Sequence, residues 1–280
     1  MAVLERFRWY KRQARSSSSI NLFSAYDANI IGGLLLGTGM AITGACPGTV
    51  LVQISTGHSS SAFILAGGVL GGILYSKFHP NVRLIRPGNS SGGRLTFHDK
   101  LGISSNQGVL VFGTICLAIL ALATFLGPKA GRISLRSISG GLLIGASQGV
   151  SLLLTGKAIG VSVVYEEAGQ YFWWLATPSA GFLSKRGPPP SYRALVFASG
   201  MLAGSWVLAR SAPLSLDRTV EEISRLSAIL GGMGMVFGAR LAGGCTSGHG
   251  ISGLAMLSVS SLITVVSMFI GGIGTATTMS

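Results

Sequence analysis

Seven long apolar runs, separated by short polar stretches, are the feature that most constrains the fold of this chain. They cover residues 30–54, 62–78, 108–126, 138–155, 194–209, 226–244 and 254–276. A helix needs about 20 apolar residues to cross a bilayer, so several runs are somewhat short. The segment 156–178 is ambiguous, although its aromatic residues are typical of a membrane interface. The two carboxylates in this segment, Glu166 and Glu167, are predicted to be solvated.

Composition leads to the same class of protein. Charged residues make up 10% of the chain, whereas a typical soluble domain has about 25%. So little charge cannot cover a soluble surface of this size, and the high hydrophobic fraction excludes disorder. The 42 glycines follow no three-residue period, which excludes collagen. We therefore predict an all-α polytopic membrane protein whose helices pack closely through glycine.

The net charge of +13 comes from basic residues that lie almost entirely between the apolar runs. That pattern sets membrane topology and suits anionic lipid headgroups, and no nucleic-acid recognition motif accompanies it. We predict a basic N-terminal segment at residues 1–29, with residues 5–12 at a membrane surface, and a single transmembrane domain at residues 30–280. The distribution of lysine and arginine favours a cytosolic N-terminus, and the cell membrane is the expected location.

An internal repeat is the most informative motif. Ile30-Ile31-Gly32-Gly33 recurs 199 residues later as Ile229-Leu230-Gly231-Gly232, and Gly44 and Cys46 recur at the same offset as Gly243 and Cys245. A degraded third copy near residues 138–178 contains Gln148 but no cysteine. Close packing explains most of the glycines, but it does not explain why a helix break and a cysteine recur together. Paired broken helices in two halves of a membrane protein indicate a central transport site.

Each break is predicted to start a short helix with cysteine at its N-cap. In the first, Pro47 suits the first helical position and Gly48 follows it. In the second, the same positions hold Thr246 and Ser247. Free N–H groups and the positive dipole end at a helix start attract anions, and the same field makes a cysteine S–H a better donor. The two starts, brought face to face, would form a narrow anion site lined by Cys46 and Cys245.

Further residues have both a functional and a structural interpretation. Arg240 lies inside an apolar run, where a charge is usually functional or paired, so it either lies on the anion path or reaches a membrane interface. His249 is either a donor to the anion or a satisfied turn residue, and Gln148 is a candidate lining residue. Cys116 is interpreted as a small packing residue. The cysteines and histidines lack zinc-ligand spacing, so we predict no metal site and no cofactor.

The two breaks, Gly44-Ala45-Cys46-Pro47-Gly48 and Gly243-Gly244-Cys245-Thr246-Ser247-Gly248-His249-Gly250, resemble the signature motifs of the YeeE/YedE sulfur-transport family. This resemblance implies an hourglass-like fold of two inverted halves with short broken or re-entrant helices at the centre. It also implies thiosulfate uptake, with the anion passed between the thiols that match Cys46 and Cys245. Family members commonly have a membrane segment before the first break, so the chain resembles an N-terminally abbreviated member.

These inferences predict a transporter for thiosulfate or a related sulfur anion, which would hand its cargo to a cytosolic sulfur-carrier protein. Two other classes stay open. One is a membrane sulfurtransferase in which Cys245 takes a persulfide. The other is a passive channel for small solutes, built from paired half-helices. No motif for ATP use or hydrolysis is present in the sequence.

Overall fold

A computed structural model describes residues 17–20, 22–78, 83–85, 96, 102, 104–126, 135–155, 160–176, 189–211 and 223–279. The basic segment predicted at residues 5–12 lies outside them. The described helices are α1 (Asp27–Thr43), α2 (Thr49–Ser55), α3 (Ser61–Phe78), α4 (Ser105–Leu126), α5 (Leu135–Thr155), α6 (Val163–Ala176), α7 (Arg193–Ser211), α8 (Arg225–Leu241) and α9 (Val259–Met279), with a π-helical turn at Ser247–Gly253. The predicted all-α class is confirmed.

Three of the described helices, α3, α7 and α9, are long and apolar enough to cross a membrane, as judged from length and composition. The helix α1 and the segment Gln107–Leu122 of α4 are apolar but shorter. The outer faces of α4, α5 and α7 expose large apolar side chains, which would contact lipid in a bilayer. They include Leu110, Ile119, Phe125, Leu142, Leu143, Val196 and Val207.

Glycines place helix backbones in direct contact. A β-carbon on Gly32 of α1 would lie 2.6 Å from the Gly238 carbonyl oxygen of α8, and one on Gly238 would lie 2.6 Å from the Gly32 carbonyl oxygen. Further along, a β-carbon on Gly39 would lie 2.6 Å from the Gly231 carbonyl oxygen. The helices α1 and α8 therefore run antiparallel at a separation that admits no side chain between these positions.

The helices α1 and α8 each pack against one further helix, and the two contacts are equivalent. On one side, α1 packs parallel to α9, since Gly33 meets Thr264 and Gly37 meets Met268. On the other side, α8 packs parallel to α3, since Gly67 meets Ile229. Adding 199 to the residue numbers of α1 and α3 gives positions that coincide with α8 and α9 to within one residue at the end of α8. In the N-terminal part of the chain, α1 thus packs against α9 of the C-terminal part. In the equivalent way, α8 of the C-terminal part packs against α3 of the N-terminal part.

Two features differ from the sequence-based expectations. The strands β1 (Ser17–Ser19) and β2 (Arg83–Ile85) form a small antiparallel ribbon, although the prediction was purely helical. The ambiguous segment 156–178 contains the helix α6, which packs on α3 instead of lying at an interface alone. Here Trp173 donates its ring N–H to the Ile73 carbonyl oxygen at 2.9 Å. A β-carbon on Gly72 would overlap the Tyr165 carbonyl oxygen, so the two backbones touch.

A buried amide ties the start of α1 to the end of α8. Asn29 accepts a hydrogen bond from the Ser18 N–H at 2.9 Å. Its amide nitrogen donates to the Ala242 carbonyl oxygen and to the Thr264 hydroxyl, each at 2.9 Å. Because Ser18 offers a donor and Ala242 an acceptor, the orientation of the amide is fixed. Asn29 therefore links β1, α1, α8 and α9 at one point.

Replacing Asn29 with leucine should lower the thermal stability of the detergent-solubilised protein. The change leaves the Ser18 N–H without this acceptor and the Ala242 carbonyl without one of its donors. Each buried group that loses its partner costs about 1–3 kcal/mol. We expect a fall in Tm of several degrees, measured by thermal unfolding. Ser147→Ala on the exposed face of α5 is the control, and equal Tm values for the two variants would contradict the role of Asn29.

Candidate functional site

The first break forms a well-defined helix start. Gly44 adopts a left-handed conformation (φ 62°) and its N–H bonds the Met40 carbonyl oxygen, which ends α1. The Cys46 carbonyl oxygen then accepts the first helical bond, from the Val50 N–H at 3.1 Å. Cys46 therefore opens a turn through Pro47 that leads into α2, whose N-cap is Gly48, two residues after the position predicted from the sequence. Glycine suits position 44 because a left-handed backbone strains other residues.

Cys46 and Thr49 cap one another. The Thr49 N–H and hydroxyl each lie 3.4 Å from the Cys46 sulfur. In return, the Cys46 N–H donates to the Thr49 hydroxyl oxygen at 2.8 Å. This reciprocal pattern is that of a capping box with sulfur in the place of the usual oxygen. Cys46 remains half-buried, so its thiol is partly open to a small molecule.

The second break repeats this arrangement 199 residues later. Gly243 is left-handed (φ 83°), and the Cys245 carbonyl oxygen accepts the first bond of the next turn, from the His249 N–H at 2.8 Å. The sulfur of Cys245 lies 3.1 Å from the Ser247 hydroxyl. The turn that follows is π-helical, whereas the sequence predicted an ordinary half-helix. Cys245 is 1% exposed.

Tyr165 and the start of α6 lie between the two breaks. The Tyr165 hydroxyl donates to the Pro47 carbonyl oxygen at 2.8 Å. Ala45, Val161 and Cys245 belong to one buried cluster with Tyr165. Tyr165 therefore contacts the residue that follows Cys46 and shares a buried cluster with Cys245.

Arg240 is paired inside the protein. Its guanidinium forms an ion pair with Glu166, lies 5.7 Å from the centre of the Tyr75 ring, and places Nη1 3.4 Å from the Ser162 hydroxyl oxygen. Arg240 is therefore paired with Glu166, and its place on the anion path stays a prediction. The pair is electrically neutral, so it adds no net charge to the membrane interior.

The prediction that Glu166 and Glu167 are solvated is wrong. They are only 7% and 5% exposed. Glu166 pairs with Arg240, and Glu167 accepts the N–H groups of Ala194 and Leu195 at 2.9 and 3.2 Å, which caps the start of α7. A carboxylate at a helix N-terminus satisfies free donors and complements the helix dipole. Both carboxylates thus hold helices together in place of facing water.

His249 is held on both sides. Its Nε2 lies 3.1 Å from the Ala242 carbonyl oxygen and its Nδ1 lies 3.0 Å from the Ser261 hydroxyl. Because a carbonyl can only accept, Nε2 carries the proton and a neutral ring accepts from Ser261 through Nδ1. The side chain is 2% exposed. This geometry favours the turn-stabilising interpretation of His249 over donation to an anion.

The other residues named from the sequence have different surroundings. Gly48 faces Val161, whose Cγ2 would lie 3.5 Å from an added β-carbon. Thr246 is partly buried beside Cys245. Gln148 of α5 accepts a 3.4 Å hydrogen bond from the hydroxyl of Ser252 in the π-helical turn. Cys116 is exposed on α4.

The sequence analysis missed Ser162, Tyr165 and Glu166. One signal could have found Glu166, since an intramembrane arginine needs a counter-ion and few carboxylates lie near the apolar runs. No such signal marks Ser162 or Tyr165, because their roles depend on long-range contacts. Within the ranges that the structure describes, no three His, Cys, Asp or Glu side chains come together as metal ligands.

The fold and this site define a predominantly helical integral membrane protein with two interrupted segments, each of which carries a thiol. A family model described as "Sulphur transport" matches residues 1–274, and the chain belongs to this family. The predicted YeeE/YedE relationship is therefore confirmed.

Two similar proteins are both described as "Probable transporter". One is from Xylella fastidiosa strain 9a5c, with 31% identity over 146 residues. The other is from strain Temecula1 / ATCC 700964 of the same species, with 30% identity over 146 residues. Each alignment covers 51% of this chain and 92% of the relative. Almost the whole of each relative is therefore similar to about half of this chain.

Proposed function

We propose that the protein is a membrane transporter for thiosulfate or a related sulfur anion, passed between the thiols of Cys46 and Cys245. The observation that carries this proposal is the position of the two sulfurs. Each lies just before a helical segment; the Tyr165 hydroxyl bonds the residue after Cys46, and Tyr165 shares a buried cluster with Cys245. Membership in the Sulphur transport family supports a sulfur-containing cargo. The path would include Pro47, Gly48, Thr246 and Ser247, which flank the two thiols.

The chemistry of the cluster suits thiosulfate better than sulfate. Thiosulfate is a soft dianion with an exposed terminal sulfur, which a thiol S–H can meet without a metal or a fixed positive charge. Sulfate presents only hard oxygens and a tighter hydration shell. The guanidinium of Arg240 is already neutralised by Glu166. Binding by neutral donors is weak enough to permit release, which conduction requires.

Two inverted repeats form the architecture in this proposal, with an hourglass-like neck at the breaks. Three facts support it: the left-handed Gly44 and Gly243 at an offset of 199, the reciprocal packing of α1 with α9 and of α8 with α3, and the half-length relatives. Each half would supply one thiol. The breaks then serve as re-entrant segments, which are tolerated at membrane depth only where they are buried or line a cavity.

The proposal also covers location and partner. Basic residues favour a cytosolic N-terminus in the cell membrane. A cytosolic sulfur-carrier protein is the proposed receiver of the cargo, since a reactive sulfur anion needs an acceptor on arrival.

A membrane sulfurtransferase is the second candidate, and the surroundings of Cys245 favour it. The Ser247 hydroxyl lies 3.1 Å from the sulfur, and a hydroxyl donor at this distance would stabilise a nucleophilic thiolate. The thiolate would attack the terminal sulfur of thiosulfate. A new S–S bond forms as the S–S bond of thiosulfate breaks, which leaves a cysteine persulfide and releases sulfite.

Thiosulfate labelled separately at its two sulfurs distinguishes these candidates. In proteoliposomes, a transporter accumulates both labels in the lumen at equal rates. A sulfurtransferase retains the terminal label on the protein and releases the other as sulfite. Absence of uptake of either label, compared with empty liposomes, would contradict the transport proposal. Mass spectrometry of the recovered protein detects the persulfide as one added sulfur.

A further inference from the structure

Ser18 of β1 has a buried hydroxyl that the transport proposal does not use. The residue is 1% exposed, and its hydroxyl oxygen has no hydrogen-bond partner among the described residues. Burying a hydroxyl without a partner costs stability, so each such group calls for an explanation, and a bound ligand is one. The neighbouring Ser19 differs, because its hydroxyl donates to the Ser24 carbonyl oxygen at 3.1 Å.

The Ser18 hydroxyl faces a small open space at the second break. A β-carbon on Gly243 would lie 2.8 Å from the Ser18 oxygen. Of the described residues that do not adjoin Gly243 in the chain, no other places a heavy atom within 4 Å of that position. Gly243 lies two residues before Cys245, so their α-carbons are at most about 7.6 Å apart. Ser18 therefore borders a space beside the backbone that carries the second thiol.

The other polar groups at this point are engaged with one another. The Ala242 carbonyl oxygen accepts from the Asn29 amide at 2.9 Å and from Nε2 of His249 at 3.1 Å. The Asn29 amide oxygen in turn accepts from the Ser18 backbone N–H at 2.9 Å. Among these described groups, the Ser18 hydroxyl alone lacks a partner. It is therefore the group that can donate to a molecule entering the space.

The loop after β1 is held in place, so the hydroxyl is a fixed feature of the break. The Asp27 carboxylate, at the start of α1, accepts the Ile20 N–H at 2.8 Å and the Leu22 N–H at 2.6 Å. It also accepts the Ala28 N–H at 2.7 Å. Three N–H dipoles thus point at this carboxylate, which reduces its repulsion of a nearby anion.

We propose that the Ser18 hydroxyl binds an oxygen of thiosulfate as the anion passes the second break, which makes Ser18 a specificity residue of the path. This inference rests on the proposed transport function and deepens it. Thiosulfate has a soft terminal sulfur at one end and hard oxygens at the other. The Cys245 thiol suits the sulfur, and a hydroxyl suits an oxygen, because O–H donors form short, strong hydrogen bonds to anionic oxygens. Together the two side chains recognise both ends of the cargo.

The test compares Ser18→Ala with Ser19→Ala in proteoliposome uptake and in thermal unfolding. Ser18→Ala should raise KM for thiosulfate about tenfold, the loss expected for one hydrogen bond to a charged ligand. Its Tm without thiosulfate should equal or exceed that of the parent protein, because the removed hydroxyl has no partner among the described residues. Ser19→Ala should show the opposite pattern, a parent-like KM and a lower Tm, since it breaks the bond to Ser24. A parent-like KM or a lowered Tm in Ser18→Ala would overturn the inference.

A binding measurement separates this inference from the transport proposal. Thiosulfate should raise the Tm of the detergent-solubilised parent protein, because a ligand that binds only the folded state stabilises it. Ser18→Ala should need about tenfold more thiosulfate for the same rise. An equal response of Ser18→Ala and the parent protein would overturn the inference and leave the transport proposal standing. No response of the parent protein and no uptake by it would refute both.

Discussion

Replacing Cys245 with alanine is expected to lower thiosulfate uptake by about one to two orders of magnitude. The substitution removes an S–H donor to a dianion, and hydrogen bonds to charged groups contribute about 1.5–3 kcal/mol. Cys46→Ala should have a comparable effect, because the cargo must pass both thiols in turn. The measurement is initial uptake of labelled thiosulfate into proteoliposomes, normalised to the amount of inserted protein.

Cys116 provides the matched control for both variants. It is the third free thiol of the chain and is exposed on α4, away from both breaks. Cys116→Ala should leave uptake unchanged. Uptake at the parent rate by all three alanine variants would exclude the thiol path, even if the protein transports thiosulfate by another route.

Local features of the site could be predicted from the sequence because they depend on neighbours along the chain. Glycine two residues before each cysteine ends a helix, and Pro47 lies in the turn that leads into the next one. These preferences come from backbone sterics and from the missing N–H of proline. The capping role of Cys46 follows from the same few residues. The repeat at an offset of 199 was likewise visible, since it requires only a comparison of letters.

The burial of Glu166 could not be predicted because its cause is tertiary. Arg240 lies 74 positions further along the chain, on α8, and only the packing of α6 on α3 brings the two charges together. An aromatic-rich segment with two adjacent carboxylates is typical of an interface when read alone. The π-helical turn after Cys245 was missed for a related reason. The side chain of His249 is held by Ala242 and Ser261, and Ser261 comes from another helix.

Glycine packing combines local and tertiary features. The spacing of the glycines is visible in the sequence, but the contact that it permits between two helices is not. Gly37 illustrates this at the contact of α1 with α9. A β-carbon on Gly37 would overlap the Met268 carbonyl oxygen and would lie 2.9 Å from the Gly272 nitrogen. Both atoms belong to a helix backbone, which cannot rotate aside as a side chain can. Relief therefore requires the two helices to separate.

Gly37→Leu is accordingly expected to abolish folding. Overpacking of a core by a few methylenes costs about 1–3 kcal/mol even where side chains can adjust. At Gly37 the obstacle is backbone, and the total stability of a domain is only about 5–15 kcal/mol. We expect little monodisperse protein by size-exclusion chromatography in detergent and a large fall in Tm for any that is recovered.

Gly145→Leu on α5 is the control for this substitution, since nothing lies within 4 Å of a β-carbon added there. It should leave the yield unchanged and gain up to about 1 kcal/mol from the better helix propensity of leucine. Equal yields and Tm values for the two leucine variants would mean that α1 and α9 are not in backbone contact. The position of Cys46, which follows directly from the end of α1, would then lose its structural basis.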